Sequence, residues 1–193
     1  MKDTLTFLKQ FVKNPIHTGA VVPSSGRLAR EIVKQASVGK ADLILEFGAG
    51  TGVFTKHIVA KKKLDAKFVS VERNAELVDI LKKKFPALKF HADSIENISQ
   101  ILQSEKIKKK ADSIVCGLPW AAFDRDLQHR LLNATHDILR PGGVFTTFAY
   151  LQGLLLPAGQ RFKRNIENCF SKVEKSPIVW RNLPPAFVYR CTK

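Results

Sequence analysis

From Asp42 onward the chain repeats one pattern, a short apolar run followed by a turn and a helix, and nothing else in the 193 residues constrains the fold as strongly. Leu43-Ile44-Leu45-Glu46-Phe47 leads through a glycine turn to a helix from Val53 to about Ala60. The pattern returns as strand Phe68 to Val71 with helix Ala75 to Phe85, strand Leu88 to His91 with helix Ile95 to Gln103, and strand Ser113 to Cys116 with helix Asp126 to Leu139. Strands that alternate with helices predict an α/β fold whose parallel sheet is covered on both faces. Arg140-Pro141-Gly142-Gly143 reads as a turn into a fifth strand, Val144 to Ala149, and Gln152 to Ile166 as irregular or helical chain. Phe170 to Val179 and Ala186 to Arg190 then predict two β segments joined through Arg181 to Pro185, closing the sheet with an antiparallel hairpin.

Ahead of this core, Leu5, Phe7, Leu8, Phe11 and Val12 recur at helical spacing among lysines, and Asn14-Pro15 ends the pattern. Ser24 or Ser25 is placed to cap a second helix running to about Ala36. Residues 1–37 therefore read as a helical extension and 38–193 as the core of a single domain. The length, with 45% apolar residues, permits one sizeable core without disulfides.

Lys and Arg outnumber Asp and Glu by 32 to 17, and the net charge of +15 predicts a polyanionic partner, either nucleic acid or an anionic membrane face. Lysine runs at 61–63, 82–84 and 108–110 fall near predicted helix ends, where they also complement the helix dipole. Cys116, Cys169 and Cys191 are odd in number and carry no metal-ligand spacing, so reduced thiols and no metal site are expected. Lacking an apolar run of membrane-spanning length and a signal peptide, the chain is expected in the cytoplasm, with a monomer as the default.

The turn Glu46-Phe47-Gly48-Ala49-Gly50-Thr51-Gly52 lets backbone pass close to a ligand, because side chains at Gly48, Gly50 and Gly52 would fill that space. Its third glycine falls one position too early for the dinucleotide pattern G-x-G-x-x-G, and Val53-Phe54 stands where a phosphate loop needs Lys-Ser or Lys-Thr. Glu72, followed by Arg73, ends the second strand about twenty residues on, where a carboxylate can accept hydrogen bonds from a ribose diol. Asp93-Ser94-Ile95 ends the third strand and Gly117-Leu118-Pro119-Trp120 the fourth. Ligands of open α/β sheets bind at these carboxyl ends.

Together these motifs resemble the class I S-adenosylmethionine-dependent methyltransferases. That resemblance implies a Rossmann-like, seven-stranded, mostly parallel sheet with a terminal antiparallel hairpin, and S-adenosylmethionine as donor with S-adenosylhomocysteine as product. It implies Asp93 against the adenine amino group with Ser94 and Ile95 flanking the ring, and the acceptor near Gly117 to Trp120. Glu46 is then either beneath the methionine portion of the donor or a cap on the glycine turn.

Outside the donor motifs, Thr18 to Ser25, Gly117-Leu118-Pro119 and Val179-Trp180-Arg181-Asn182-Leu183-Pro184-Pro185-Ala186 resemble the small bacterial phospholipid N-methyltransferases that act on phosphatidylethanolamine. The likeness covers nearly the whole chain. It implies an enzyme held peripherally on the inner membrane face, its N-terminal helix a membrane-interface segment, a lid over the donor, or both. Methyl transfer to an amine is a displacement at the donor's sulfonium methyl and needs a neutral nitrogen, so a proton acceptor is required. Tyr150 and His17 are the candidates. Trp120 and Tyr150 could hold the cationic products against their faces or belong to the core, Arg161 and Arg181 are candidates for the lipid phosphate, and Asn182 for the wall of the acceptor pocket.

Leu118-Pro119-Trp120 is also similar to the element of rRNA adenine N6-methyltransferases, which would make nucleic acid the partner. Gly117 departs from the Asn that usually precedes that element. A third possibility keeps the fold as a non-catalytic donor-binding module.

Overall fold

The computed structural model describes residues 25–193. The predicted N-terminal helix and His17 lie outside them. Among the described residues are α1 (Gly26–Gln35), β1 (Leu43–Phe47), α2 (Val53–Val59), β2 (Lys67–Glu72), α3 (Ala75–Lys84), β3 (Lys89–Ala92) and α4 (Ile98–Ser104). There follow β4 (Ala111–Cys116), α5 (Arg125–Ile138), β5 (Leu139–Tyr150), α6 (Pro157–Cys169), β6 (Lys172–Lys175) and β7 (Ala186–Thr192).

The seven strands form one sheet in the order β3-β2-β1-β4-β5-β7-β6. β1 pairs in parallel with β2 and β4, while β7 runs antiparallel between β5 and β6. The Rossmann-like fold with its antiparallel end is therefore present. β1 is central and buried along its whole length, which explains a run that is apolar on both alternating faces except for Glu46. Leu43, Leu45 and Phe47 point to one face, against Ile98, Ile101, Leu131, Phe162 and Ile166 of α4, α5 and α6. Ile44 points to the other, against Leu28, Ile32, Phe54, Ile58, Val78 and Leu81 of α1, α2 and α3. Each such side chain contributes about 1.5 to 3 kcal/mol on burial.

Local chemistry sets the helix starts. The Ser25 hydroxyl accepts from Leu28 N–H at 3.2 Å, Asn74 Oδ1 from Glu76 N–H at 2.9 Å, and Asp124 Oδ1 from Leu127 N–H at 2.8 Å.

Three boundaries differ from the sequence reading. Arg140 to Gly143 do not form a turn before β5 but a bulge within it: Ala111 pairs with Leu139 and Ser113 with Val144, so four residues lie opposite Asp112 alone. Asp112 stabilises that bulge by accepting from Arg140 Nε at 2.5 Å through Oδ1 and from Leu43 N–H at 2.9 Å through Oδ2. The helix expected from Ile95 begins as a 3-10 turn, Ile95–Asn97, and becomes α4 at Ile98. The sixth strand stops at Lys175, because the Ser176 hydroxyl accepts the Val188 N–H and Pro177 has no N–H to give; Val179 rejoins only as a single bridge to Ala186.

Candidate active site

Because β1 to β4 are parallel, their carboxyl ends meet along one edge, and backbone hydrogen bonds join them. Gly48 N–H donates to Val71 O at 2.8 Å, Gly117 N–H to Phe47 O at 2.7 Å, and Asp93 N–H to Glu72 O at 3.2 Å. A cavity opens at this edge. Gly48, Gly50, Glu72, Arg73, Asp93, Ser94, Ile95, Gly117, Leu118 and Pro119 line it, so the structure brings together ten of the residues singled out from sequence.

The glycines serve three purposes rather than one. A Cβ at Gly50 would meet nothing within 4 Å, so Gly50 is the glycine that faces open cavity. A Cβ at Gly48 would lie 2.7 Å from Leu118 Cδ2, and one at Gly52 would lie 2.8 Å from Leu81 Cδ2. Those two glycines make room for protein. Gly117 is tighter still, since a Cβ there would lie 2.6 Å from the Gly48 carbonyl oxygen. Ala49 is buried, Thr51 is exposed with its carbonyl accepting from Lys84 Nζ at 3.2 Å, and Gly52 starts α2; none of the three lines the cavity.

Glu72 accepts from Gly50 N–H and from Asn74 N–H, one carboxylate oxygen each, both at 3.0 Å. A carboxylate has about four acceptor directions, so two remain for a diol. Asp93 Oδ1 accepts from Ser94 N–H at 2.6 Å and from Asn97 Nδ2 at 2.8 Å, leaving Oδ2 without a partner among the described residues. Both acids are thus fixed by the protein and still able to accept from a ligand.

Glu46 lies elsewhere. Period-two alternation turns it to the α2 face, where it is fully buried and accepts from the Thr55 hydroxyl at 2.7 Å. It ties the strand through Thr55 to the helix that follows the glycine turn. Burial pushes its carboxyl up to about 7 against hydroxyl hydrogen bonds that lower it.

The acceptor-side assignments need correction. Trp120 has no free face: it is 3% exposed, stacks on Phe162 at 4.8 Å between centroids, and donates from Nε1 to the Thr147 hydroxyl at 3.1 Å. Asn182 is buried, with Oδ1 accepting from Ser25 N–H at 3.0 Å and Nδ2 donating to Pro184 O at 2.7 Å; it joins α1 to the β6–β7 loop. Tyr150 packs edge-on to Phe148 outside the cavity lining, and burial pushes its phenol up to about 12. As a neutral phenol it takes a proton from the amine only by passing its own on, and its hydroxyl has no hydrogen-bond partner among the described residues to receive that proton. Arg161 lies between α5 and α6, and Arg181 is exposed on the β6–β7 loop; neither reaches the cavity.

Phe123, Leu127 and Leu131 also line the cavity, and so do Val71 and Leu77. Leu127 and Leu131 stand four apart on one face of α5 and Phe123 precedes its cap, Asp124; that spacing is present in the sequence but indistinguishable there from core packing.

A parallel sheet with a glycine turn after its first strand, fixed acids after its second and third, and an antiparallel end defines the S-adenosylmethionine-dependent methyltransferases of class I. The methyltransferase-domain family matches residues 45–145. The ornithine lipid N-methyltransferase of Singulisphaera acidiphila is 31% identical over 195 residues, covering 99% of this chain and 96% of its own length. The ribosomal RNA small subunit methyltransferase A of Thermotoga petrophila is 32% identical over 82 residues, covering 42% of this chain and 30% of its own. Among solved structures, the O-methyltransferase from Bacillus cereus in complex with S-adenosylhomocysteine superposes with a TM-score of 0.69 at 16% identity, covering 99% of this chain and 91% of its own. The chain belongs to the methyltransferase family, and S-adenosylmethionine is its methyl donor.

Proposed function

We propose that this protein transfers methyl groups from S-adenosylmethionine to the primary amine of a membrane aminolipid, with phosphatidylethanolamine and ornithine lipid as the two headgroups to consider. The observation that carries the reading is the end-to-end likeness to an ornithine lipid N-methyltransferase, which spans the β6–β7 loop and the segment before α1 as well as the shared core. In the donor site, Glu72 holds the ribose, Asp93 Oδ2 accepts from the adenine amino group, Ser94 and Ile95 flank the ring, and Arg73 closes the rim. The bound donor supplies an electrophilic methyl. The protein aligns the amine with it, with Pro119 and Leu118 forming the acceptor side of the cavity, and a proton must leave the nitrogen, whose reference pKa is about 10.4. Tyr150 lies outside the cavity lining, so His17 is the remaining candidate to receive it.

Access from a bilayer fits the same end of the sheet. Leu155 and Leu156 follow β5, Trp180 and Leu183 precede β7, and all four are exposed, at 80%, 52%, 66% and 74%. No helix among the described residues is long and apolar enough to cross a membrane. A peripheral enzyme that rests its rim on the bilayer can reach a headgroup without spanning it.

Adenine methylation of rRNA is the second reading, supported by the partial likeness to ribosomal RNA methyltransferases and by the net charge. Gly117 weighs against it, because the Gly48 carbonyl leaves no space for the Cβ of an asparagine. Mass spectrometry of lipids recovered after incubation with S-adenosylmethionine tests the proposal. Stepwise methylated phosphatidylethanolamine or ornithine lipid is the expected product, and unmodified lipid with methylated rRNA would overturn it.

A further inference from the structure

Outside the donor cavity, α5 and α6 enclose a cleft lined by Arg125, His129, Arg161, Arg164, Asn165 and Asn168. It carries three guanidinium groups and no carboxylate. None of the three arginines forms an ion pair among the described residues, although seven other Lys and Arg side chains do so with Asp or Glu, including Arg130, Arg140 and Lys163. The cleft is also built from below. Gln128 is fully buried and anchored by its Nε2, which donates to Trp120 O at 2.7 Å. Its Oε1 accepts from Arg161 Nε at 3.4 Å and Asn165 Nδ2 at 3.3 Å, and Arg161 Nη2 donates to Phe123 O at 3.4 Å. Two of the three guanidinium nitrogens of Arg161 are thereby held, and Nη1 is left for a ligand.

Guanidinium groups held in a fixed orientation recognise phosphate oxygens in a bidentate way. The cleft lies next to a hydrophobic tip. Leu155 and Leu156 end the loop into α6, and Arg161 follows roughly 7 to 8 Å along that helix at 1.5 Å per residue. An apolar tip at the acyl boundary with Arg161 about 7 to 8 Å behind it suits a helix end that rests in the headgroup region.

We infer that this cleft binds the phosphate of an anionic phospholipid, a second lipid site separate from the acceptor cavity, which seats the enzyme on the bilayer. The site rests on the lipid reading for its partner but is tested without methyl transfer. Arg125 and Arg164 are both exposed, so Arg125→Gln/Arg164→Gln removes two charges without disturbing the Gln128 network. Lys108→Gln/Lys109→Gln removes the same charge from another exposed surface. Co-sedimentation with phosphatidylcholine vesicles, with and without phosphatidylglycerol, compares the two variants, and donor affinity confirms that each is folded. The arginine variant is expected to lose about tenfold or more in binding to the phosphatidylglycerol vesicles, and the lysine variant less than about threefold. Equal losses in both variants, no loss in the arginine variant, or equal wild-type binding to neutral vesicles would overturn the site. So would loss of binding to rRNA in place of vesicles. A dependence on the arginines with no lipid methylation would leave the site standing and remove only the lipid acceptor.

Discussion

Glu72 holds Gly50 and Asn74 by their N–H groups with one carboxylate, and in the function proposed here its remaining acceptor directions take a ribose. Glu72→Ala is expected to weaken S-adenosylhomocysteine binding about 10- to 100-fold by calorimetry, with the fold retained; unchanged affinity would remove the ribose from this position. Glu46 makes the opposite kind of prediction. Its carboxyl titrates at 4.5 when exposed and is pushed up to about 7 in the fold, so the stability that it contributes is fully present below 4.5 and lost as pH rises through about 7. Relative to Glu46→Gln, the wild type should lose about 3 kcal/mol of unfolding free energy across that interval, measured by denaturant titration. A constant difference would mean that Glu46 is ionised throughout. The two acids look alike in sequence, each at the end of a strand. Only the parity of positions along β1, and what α2 presents to that face, turns Glu46 to Thr55 and away from the cavity.

At the scale of elements, regular structure was legible because apolar period and caps agreed: Ser25, Asn74 and Asp124 each stand where a helix begins. The misread segments are those whose conformation depends on a distant partner. Arg140 to Gly143 have the composition of a turn, and it is Asp112 on the neighbouring strand that stabilises them as a bulge. Asn182 sits in a loop with Pro and an exposed tryptophan, a composition that suggests a ligand wall, yet its amide is used up joining α1 to that loop. Asn182→Ala should therefore destabilise the protein by about 1 to 3 kcal/mol in thermal unfolding and leave donor affinity unchanged. Loss of lipid turnover without loss of stability would return Asn182 to the acceptor site. Trp120 follows the same rule, since its three aromatic neighbours come from α6, β5 and the turn after β4, far apart in sequence.

For the whole molecule, charge and apolar exposure must be explained together. A surface with a net charge of +15 suits either nucleic acid or an anionic bilayer. Leucines and a tryptophan exposed beside the carboxyl ends of the strands suit a bilayer, and so does a likeness that extends from one end of an aminolipid methyltransferase to the other. Sequence made the donor chemistry legible because four strand ends each carried a recognisable residue. It left the acceptor open because loop residues with the composition of a ligand wall, Trp120 and Asn182 among them, serve packing. Transfer of radiolabelled methyl from S-adenosylmethionine to aminolipid vesicles and to purified ribosomal RNA, run side by side with the same enzyme, tests the central claim most directly. Label in the aminolipid, greater when the vesicles also hold an anionic lipid, is the predicted result; label confined to the RNA would contradict it.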